Sequence, residues 1–139
     1  MLGGLLEGLS TGNTPKLRKL IISGMCMEAD GCAKLSGVIR KKALPELQEL
    51  YIAGRLRIVS ITGLENNIMQ RGVLSILLAL RDTSCPVRVL DLSCGRWAWK
   101  SSVGNNLTDE GATYIINFLN GKSKTSLAVL CLNRMCFYD

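Results

Sequence analysis

Residues 90–111 read LDLSCGRWAWKSSVGNNLTDEG. The ends, LDLS (Leu90 to Ser93) and NNLTDEG (Asn105 to Gly111), read as parts of one phrase, with GRWAWKSSVG (Gly95 to Gly104) between them. LDLS alternates apolar and polar positions, as a half-buried strand does. Thr108, Asp109 and Glu110 stand just ahead of Gly111. They suit a helix start, where hydroxyl and carboxylate oxygens accept from free N–H groups and complement the dipole. The stretch predicts a strand, an interposed loop and a helix.

The strand signal recurs. LRKLII from Leu17, LQELYI from Leu47, VRVLDL from Val87 and LAVLCL from Leu127 share the spacing apolar-x-x-apolar-x-apolar, with starts 30, 40 and 40 residues apart. After each of the first three the period changes from two to three and four. Leu35, Val38 and Ile39 follow Gly31, Ile76, Leu77 and Leu80 follow Gly72, and Ile115, Phe118 and Leu119 follow Gly111. Each set makes one face of a helix. Leu5 and Leu9 read as the helix of an earlier unit. The chain is thus a series of strand–turn–helix–return units, the signature that internal repeats leave in a sequence.

With these residues in view, the chain resembles ribonuclease-inhibitor-type leucine-rich repeats, whose units follow LxxLxLxx(N/C)xLTxxG and then a helix. The first unit matches continuously through Leu17, Leu20, Ile22, Met27, Gly31, Cys32 and Leu35, and departs from the pattern at Met25, where Asn or Cys is usual. Deleting Gly95 to Gly104 restores the third unit, with Asn105 and Leu107 in the expected places and a unit of 30 residues. Deleting Arg55 to Glu65 does the same for Asn66 and Ile68 in the second, leaving 29. The resemblance covers nearly the whole chain.

It implies an α/β fold: a leucine-rich repeat solenoid, a horseshoe arc with a parallel concave sheet and outer helices. The single domain, 1–139, divides into a partial repeat 1–16, repeats 17–46, 47–86 and 87–126, and a partial repeat 127–139, with insertions at 55–65 and 95–104. Leu17, Leu20, Ile22, Leu47, Leu50, Ile52, Leu90, Leu92, Leu130 and Leu132 would point inward. In the resembling family the turn asparagine bonds backbone groups in a ladder between repeats, which gives Asn66 and Asn105 a structural role. Cys32 and Cys94 fit positions for small buried residues.

The intervening strand positions face the concave surface, the usual partner surface of this architecture. Lys19, Ile21, Glu49, Tyr51, Val89 and Asp91 are the candidate contact residues, with Ser23, Ala53, Ser93, Val129, Cys131 and Asn133 in the same row. Tyr51 and Asp91 are the first to substitute. Lys, Glu, Tyr and Asp together do not make a groove of one sign. The insertions leave from one edge of the sheet and bring Arg55, Arg57, Arg96, Trp97, Trp99 and Lys100 together. Trp beside Arg is enriched at binding hot spots, and an exposed ring can also stack on a base. Three readings of these loops compete: a cover over the sheet edge with the Trp side chains as local core, partner-contact loops, or retained intron sequence.

Composition removes several classes. The 139 residues are 47% hydrophobic but only 5% aromatic, so the core is aliphatic; at 20% charged, the chain is not of disordered type. There is no histidine. Ser-His and Cys-His nucleophilic pairs, His metal ligands and the commonest general base are therefore out. The six cysteines include no CxxC pair, which disfavours zinc and, without a secretory signal, reads as reduced thiols. VLSILLAL (Val73 to Leu80) is far short of the roughly 20 apolar residues that span a bilayer. MLGGLLEGL lacks a basic n-region, and a cytoplasmic protein is expected. The net charge of +6 favours acidic partners weakly, because the cations are spread along the chain. IRKKA, around Arg40 to Lys42, suits a helix C-terminus.

These features point to a non-catalytic module that binds another protein, with no cofactor and no metal. Binding of nucleic acid or an anionic surface through the basic and Trp-bearing insertions is one alternative. The substrate-recognition arm of a larger enzyme complex, such as a ubiquitin ligase, is another. No GxxxxGK[ST] occurs, so no phosphate-binding loop is expected. The chain starts within one unit and stops within another, with no polar capping repeat. Marginal stability, or self-association through uncapped ends, is therefore expected.

Overall fold

Residues 2–22, 27, 29–52, 70–93, 109–121 and 126–132 are described by the computed structural model. Each six-residue strand signal yields a short strand with an apolar residue at its centre. These are β1 (Lys19–Ile21), β2 (Glu49–Tyr51), β3 (Val89–Asp91) and β4 (Val129–Cys131), centred on Leu20, Leu50, Leu90 and Leu130. Among the described residues they form one four-stranded sheet in the order β1-β2-β3-β4. All three pairings are parallel and unshifted: Lys19 meets Glu49, Glu49 meets Val89, and Val89 meets Val129. Parallel neighbours need a crossover between them. Three helices supply it: α2 (Ala29–Arg40), α3 (Gln70–Thr83) and α4 (Asp109–Asn120), while α1 (Leu2–Ser10) precedes β1.

The core lies between the sheet and the helices. Ile22, Leu47, Leu50, Ile52, Leu90 and Leu92 are fully buried from the strand side, and Leu20 nearly so. Leu17, Leu130 and Leu132 are partly buried and pack against the same core, so all ten expected inward positions face it. From the helices come Cys32, Leu35, Val38 and Ile39 of α2, Val73, Ile76, Leu77, Ala79 and Leu80 of α3, and Ile115 and Phe118 of α4. An aliphatic side chain gains about 1.5–3 kcal/mol on full burial, so these rows are the main favourable term in the fold.

Two helix-face expectations are corrected. In α1 the buried pair is Leu6 and Leu9, and Leu5 is exposed. Leu6, not Leu5, lines the side of α1 that meets α2. In α4, Leu119 is 54% exposed, although Ile39 and Leu80, also eight residues after a unit glycine, are at 3% and 4%. Ile39 and Leu80 lie in helices that have a later helix beside them. Among the described residues α4 has none.

The ends of α2 and α3 share one stop. Lys42 and Ser84 have positive φ, 54° and 51°. Behind them Ala43 N–H donates to Val38 C=O, and Lys42 N–H to Ile39 C=O; Cys85 N–H donates to Leu80 C=O, and Ser84 N–H to Arg81 C=O. This is the paired-bond stop that satisfies the last carbonyls of a helix, here built on a lysine and a serine where glycine is usual. Arg40 closes α2, as the IRKKA spacing predicts.

Candidate functional site

The sheet turns one side chain per strand into the core and presents the two beside it on the opposite face. The zero-offset register then makes two ladders: Lys19–Glu49–Val89–Val129, and Ile21–Tyr51–Asp91–Cys131. Ile21 is 58% exposed and Val129 45%, while Glu49, Tyr51, Val89, Asp91 and Cys131 are half-buried. The six expected contact residues thus lie on adjacent positions of one surface.

Over β1 and β2 the polar groups join. Lys19 Nζ lies 2.9 Å from Glu49 Oε2. Tyr51 Oη donates to the same oxygen at 3.0 Å. The ammonium also stands 4.8 Å from the centroid of the Tyr51 ring, within cation–π range. Hydrogen bonding to Glu49 raises the Lys19 pKa, and the same carboxylate raises that of Tyr51. Lys19 and then Tyr51, as donors, hold the Glu49 carboxyl below its ordinary value. The three side chains are fixed against one another, with Ile21 exposed beside them. Over β3, Asp91 Oδ1 accepts from the backbone N–H of Ser93 at 2.9 Å, which fixes that carboxylate at the strand's exit.

Glu49 is occupied by two donors, and Lys19 is held in its charged form. Cys32 is fully buried, and burial pushes its thiol up to about 12, so it is no nucleophile near neutral pH. Burial also raises the Cys85 thiol. Cys32, Cys85 and Cys131 are free thiols. No group of three or more His, Cys, Asp or Glu side chains among the described residues could hold a metal ion. No described helix is long and apolar enough to cross a membrane. A groove of about 390 Å³ between α1 and α2 is lined by Gly3, Leu6, Glu7, Lys34, Gly37 and Lys41, among others.

The insertion residues Arg55, Arg57, Arg96, Trp97, Trp99 and Lys100 lie outside the described residues, as do the asparagines Asn66 and Asn105, the flanking Ser23, Ala53 and Asn133, and Cys94. What is described is where the insertions depart: each follows the C-terminal end of a strand, β2 or β3, and these strands are parallel neighbours. The sequence reading named Lys19, Glu49 and Tyr51 singly and missed their union. The missing signal was the unshifted register, which sets residues 19 and 49 side by side. It also missed Ile116, an exposed apolar residue on α4.

No family profile matches the chain, and no curated protein matches it.

Proposed function

We propose that this chain is an arc of ribonuclease-inhibitor-type leucine-rich repeats and acts as a non-catalytic module that binds another protein through the outer face of its sheet. Support for the repeat comes from strands and helices alternating in the order the spacing predicts, with the consensus leucine positions facing the core. The observation that carries the binding role is the exposed Ile21 beside the Tyr51 ring, itself fixed by Glu49 and Lys19. A rigid aromatic next to an exposed aliphatic residue, with a polar rim, is the composition of an interface hot spot. A ring already held in place loses little rotamer freedom on binding. The insertions at 55–65 and 95–104, leaving from the C-terminal ends of neighbouring strands, would extend this face at one edge.

A photo-crosslinking residue placed at Ile21, and for comparison at the exposed Lys41 just after α2, tests the role in cells. The purified adduct partner should then bind the unmodified chain, and Tyr51→Ala with Ile21→Asp should weaken it by at least about tenfold, the size of a 1.4 kcal/mol contact. Adducts of equal yield and identity from both positions would remove the sheet face from consideration.

A further inference from the structure

The buried steps of the helices repeat from unit to unit. Cys32, Leu35, Ser36, Val38 and Ile39 of α2 stand 1, 4, 5, 7 and 8 residues after Gly31, and all are buried. The same steps from Gly72 reach Val73, Ile76, Leu77, Ala79 and Leu80 of α3, again all buried. α1 fits this series with Leu2 as its origin. Its buried pair, Leu6 and Leu9, then occupies the fourth and seventh steps, and Leu2 precedes Lys19 by 17 residues, as Gly72 precedes Val89. On that alignment Gly3, Glu7 and Ser10 stand where α2 has Cys32, Ser36 and Ile39.

The consequence is visible between neighbouring helices. α3 and α4 leave a groove of about 160 Å³, lined by Leu77, Tyr114, Asn117 and Phe118 among others. The groove between α1 and α2 is about 390 Å³. At the matching steps it has Glu7 for Leu77, Lys34 for Tyr114, Gly37 for Asn117 and Val38 for Phe118. A Cβ on Gly3 or Gly37 would meet nothing within 4 Å. Side-chain volume is left out at this junction, over a floor of Leu6 and Val38, and charge is placed on its walls. Lys34 is engaged by Asp30 at 2.8 Å. Glu7 on the α1 wall and Lys41 on the α2 wall have no ion pair among the described residues.

We propose that this groove binds a short aliphatic peptide with free ends, in the simplest case a dipeptide. Its ammonium meets Glu7, its carboxylate meets Lys41, and its side chains lie on Leu6 and Val38 between the two glycines. The spacing suits that ligand. Glu7 is at the fifth step of its unit and Lys41 at the tenth, an offset of about 7.5 Å along the groove at about 1.5 Å per helical residue. Two extended residues span about 7 Å, and both ends are charged near neutral pH. The volume falls in the range of pockets that enclose small molecules. A segment inside a longer chain would bring uncharged amides to Glu7 and Lys41, so the unpaired acid and base select a free dipolar peptide. The groove is on the helical side of the core, and the inference does not rest on the role of the sheet face.

Titration of the methyl-labelled full chain with leucylleucine and with valylvaline, followed by NMR, tests this. The expected result is a saturable shift of the Leu6 and Val38 methyl resonances. Glu7→Gln and Lys41→Gln should each weaken binding by at least about tenfold, the size of a 1.4 kcal/mol contact. N-acetyl-leucylleucine, which lacks the ammonium, should bind the parent chain and Glu7→Gln equally weakly. Gly37→Leu gives α2 the residue that α3 carries at the same step, Leu78. It should leave the far-UV circular dichroism unchanged and abolish the shifts. The absence of a saturable shift with either dipeptide overturns the inference. So does binding that survives Gly37→Leu, or binding of the doubly blocked N-acetyl-leucylleucine amide as tight as that of the free dipeptide, which would make the groove a seat for a protein segment.

Discussion

Ser75 Oγ on α3 donates a hydrogen bond to Ser36 Oγ on α2 at 2.9 Å, and Ser36 Oγ donates in turn to the Cys32 carbonyl at 2.7 Å. Ser36 is 2% exposed, at a position where α3 carries the apolar Leu77. A polar side chain there is tolerable only because both of its hydrogen-bonding roles are filled. Ser36→Ala should cost about 1–2 kcal/mol, since it also strands the half-buried Ser75 hydroxyl. Ser36→Ala with Ser75→Ala should cost less than the two single changes added together. Urea denaturation of the three variants measures this, and strict additivity would show that the hydroxyls do not act as a pair.

Gly31 and Gly37 lie on the same helix and should respond oppositely to alanine. A Cβ on Gly31 would sit 2.7 Å from Met27 Cγ and 3.2 Å from Leu2 Cδ2, whereas one on Gly37 meets nothing within 4 Å. Alanine in a helix interior gains about 0.5–1 kcal/mol over glycine. At Gly31 that gain is set against overpacking of about 1–3 kcal/mol, because Met27 is itself fully buried and has little room to move. Thermal melts should place Gly37→Ala above the parent chain and Gly31→Ala below it. Equal rises in both would mean that Met27 relaxes freely.

The glycine after each strand was legible because it belongs to a local pattern, and so were the strands, whose apolar positions are set by burial on one side. What was not legible depends on neighbours distant in sequence. Lys19 and Glu49 are thirty residues apart and meet only through the strand register. Ile116 and Leu119 follow the same apolar period as Leu77 and Leu80, and periodicity cannot say whether another helix covers them. Leu5 and Leu6 are a similar case: one turn of a glycine-rich helix leaves its facing direction undetermined until α2 is placed beside it.

The left-handed residues that complete the helix stops were hidden for another reason. Lys42 and Ser84 hold the left-handed conformation that glycine would have advertised. An L side chain there costs about 1–2 kcal/mol in backbone energy, while glycine loses about 0.4–1 kcal/mol through its freer unfolded chain. Lys42→Gly and Ser84→Gly should each stabilise by about 0.5–1 kcal/mol on balance. Lys41→Gly, one residue earlier and outside the positive-φ region, should destabilise. Denaturant midpoints decide the matter, and a loss at all three positions would remove the strain argument.

The Lys19–Glu49–Tyr51 unit should titrate as one. Glu49 has a lowered pKa, chiefly from its hydrogen bond with Lys19, so its contribution to stability is present above the ordinary carboxyl value of 4.5 and is lost as pH falls through the lowered one. Tyr51 and Lys19 have raised values, chiefly from Glu49. Their contributions are present below the ordinary 10.0 and 10.5, and are lost as pH rises through the raised values. All three groups are solvent-accessible, so the effect on stability is small and the sharper readout is spectroscopic. In Glu49→Gln the Tyr51 ring resonance, assigned by its absence from Tyr51→Phe, should titrate at lower pH than in the parent chain. Lys19→Met should leave the Tyr51–Glu49 bond in place and remove a nearby cation that favours the phenolate, so the same resonance should titrate higher. Opposite movements in the two variants identify Glu49 as the common acceptor. Movement in the same direction would mean that Tyr51 bonds elsewhere in solution.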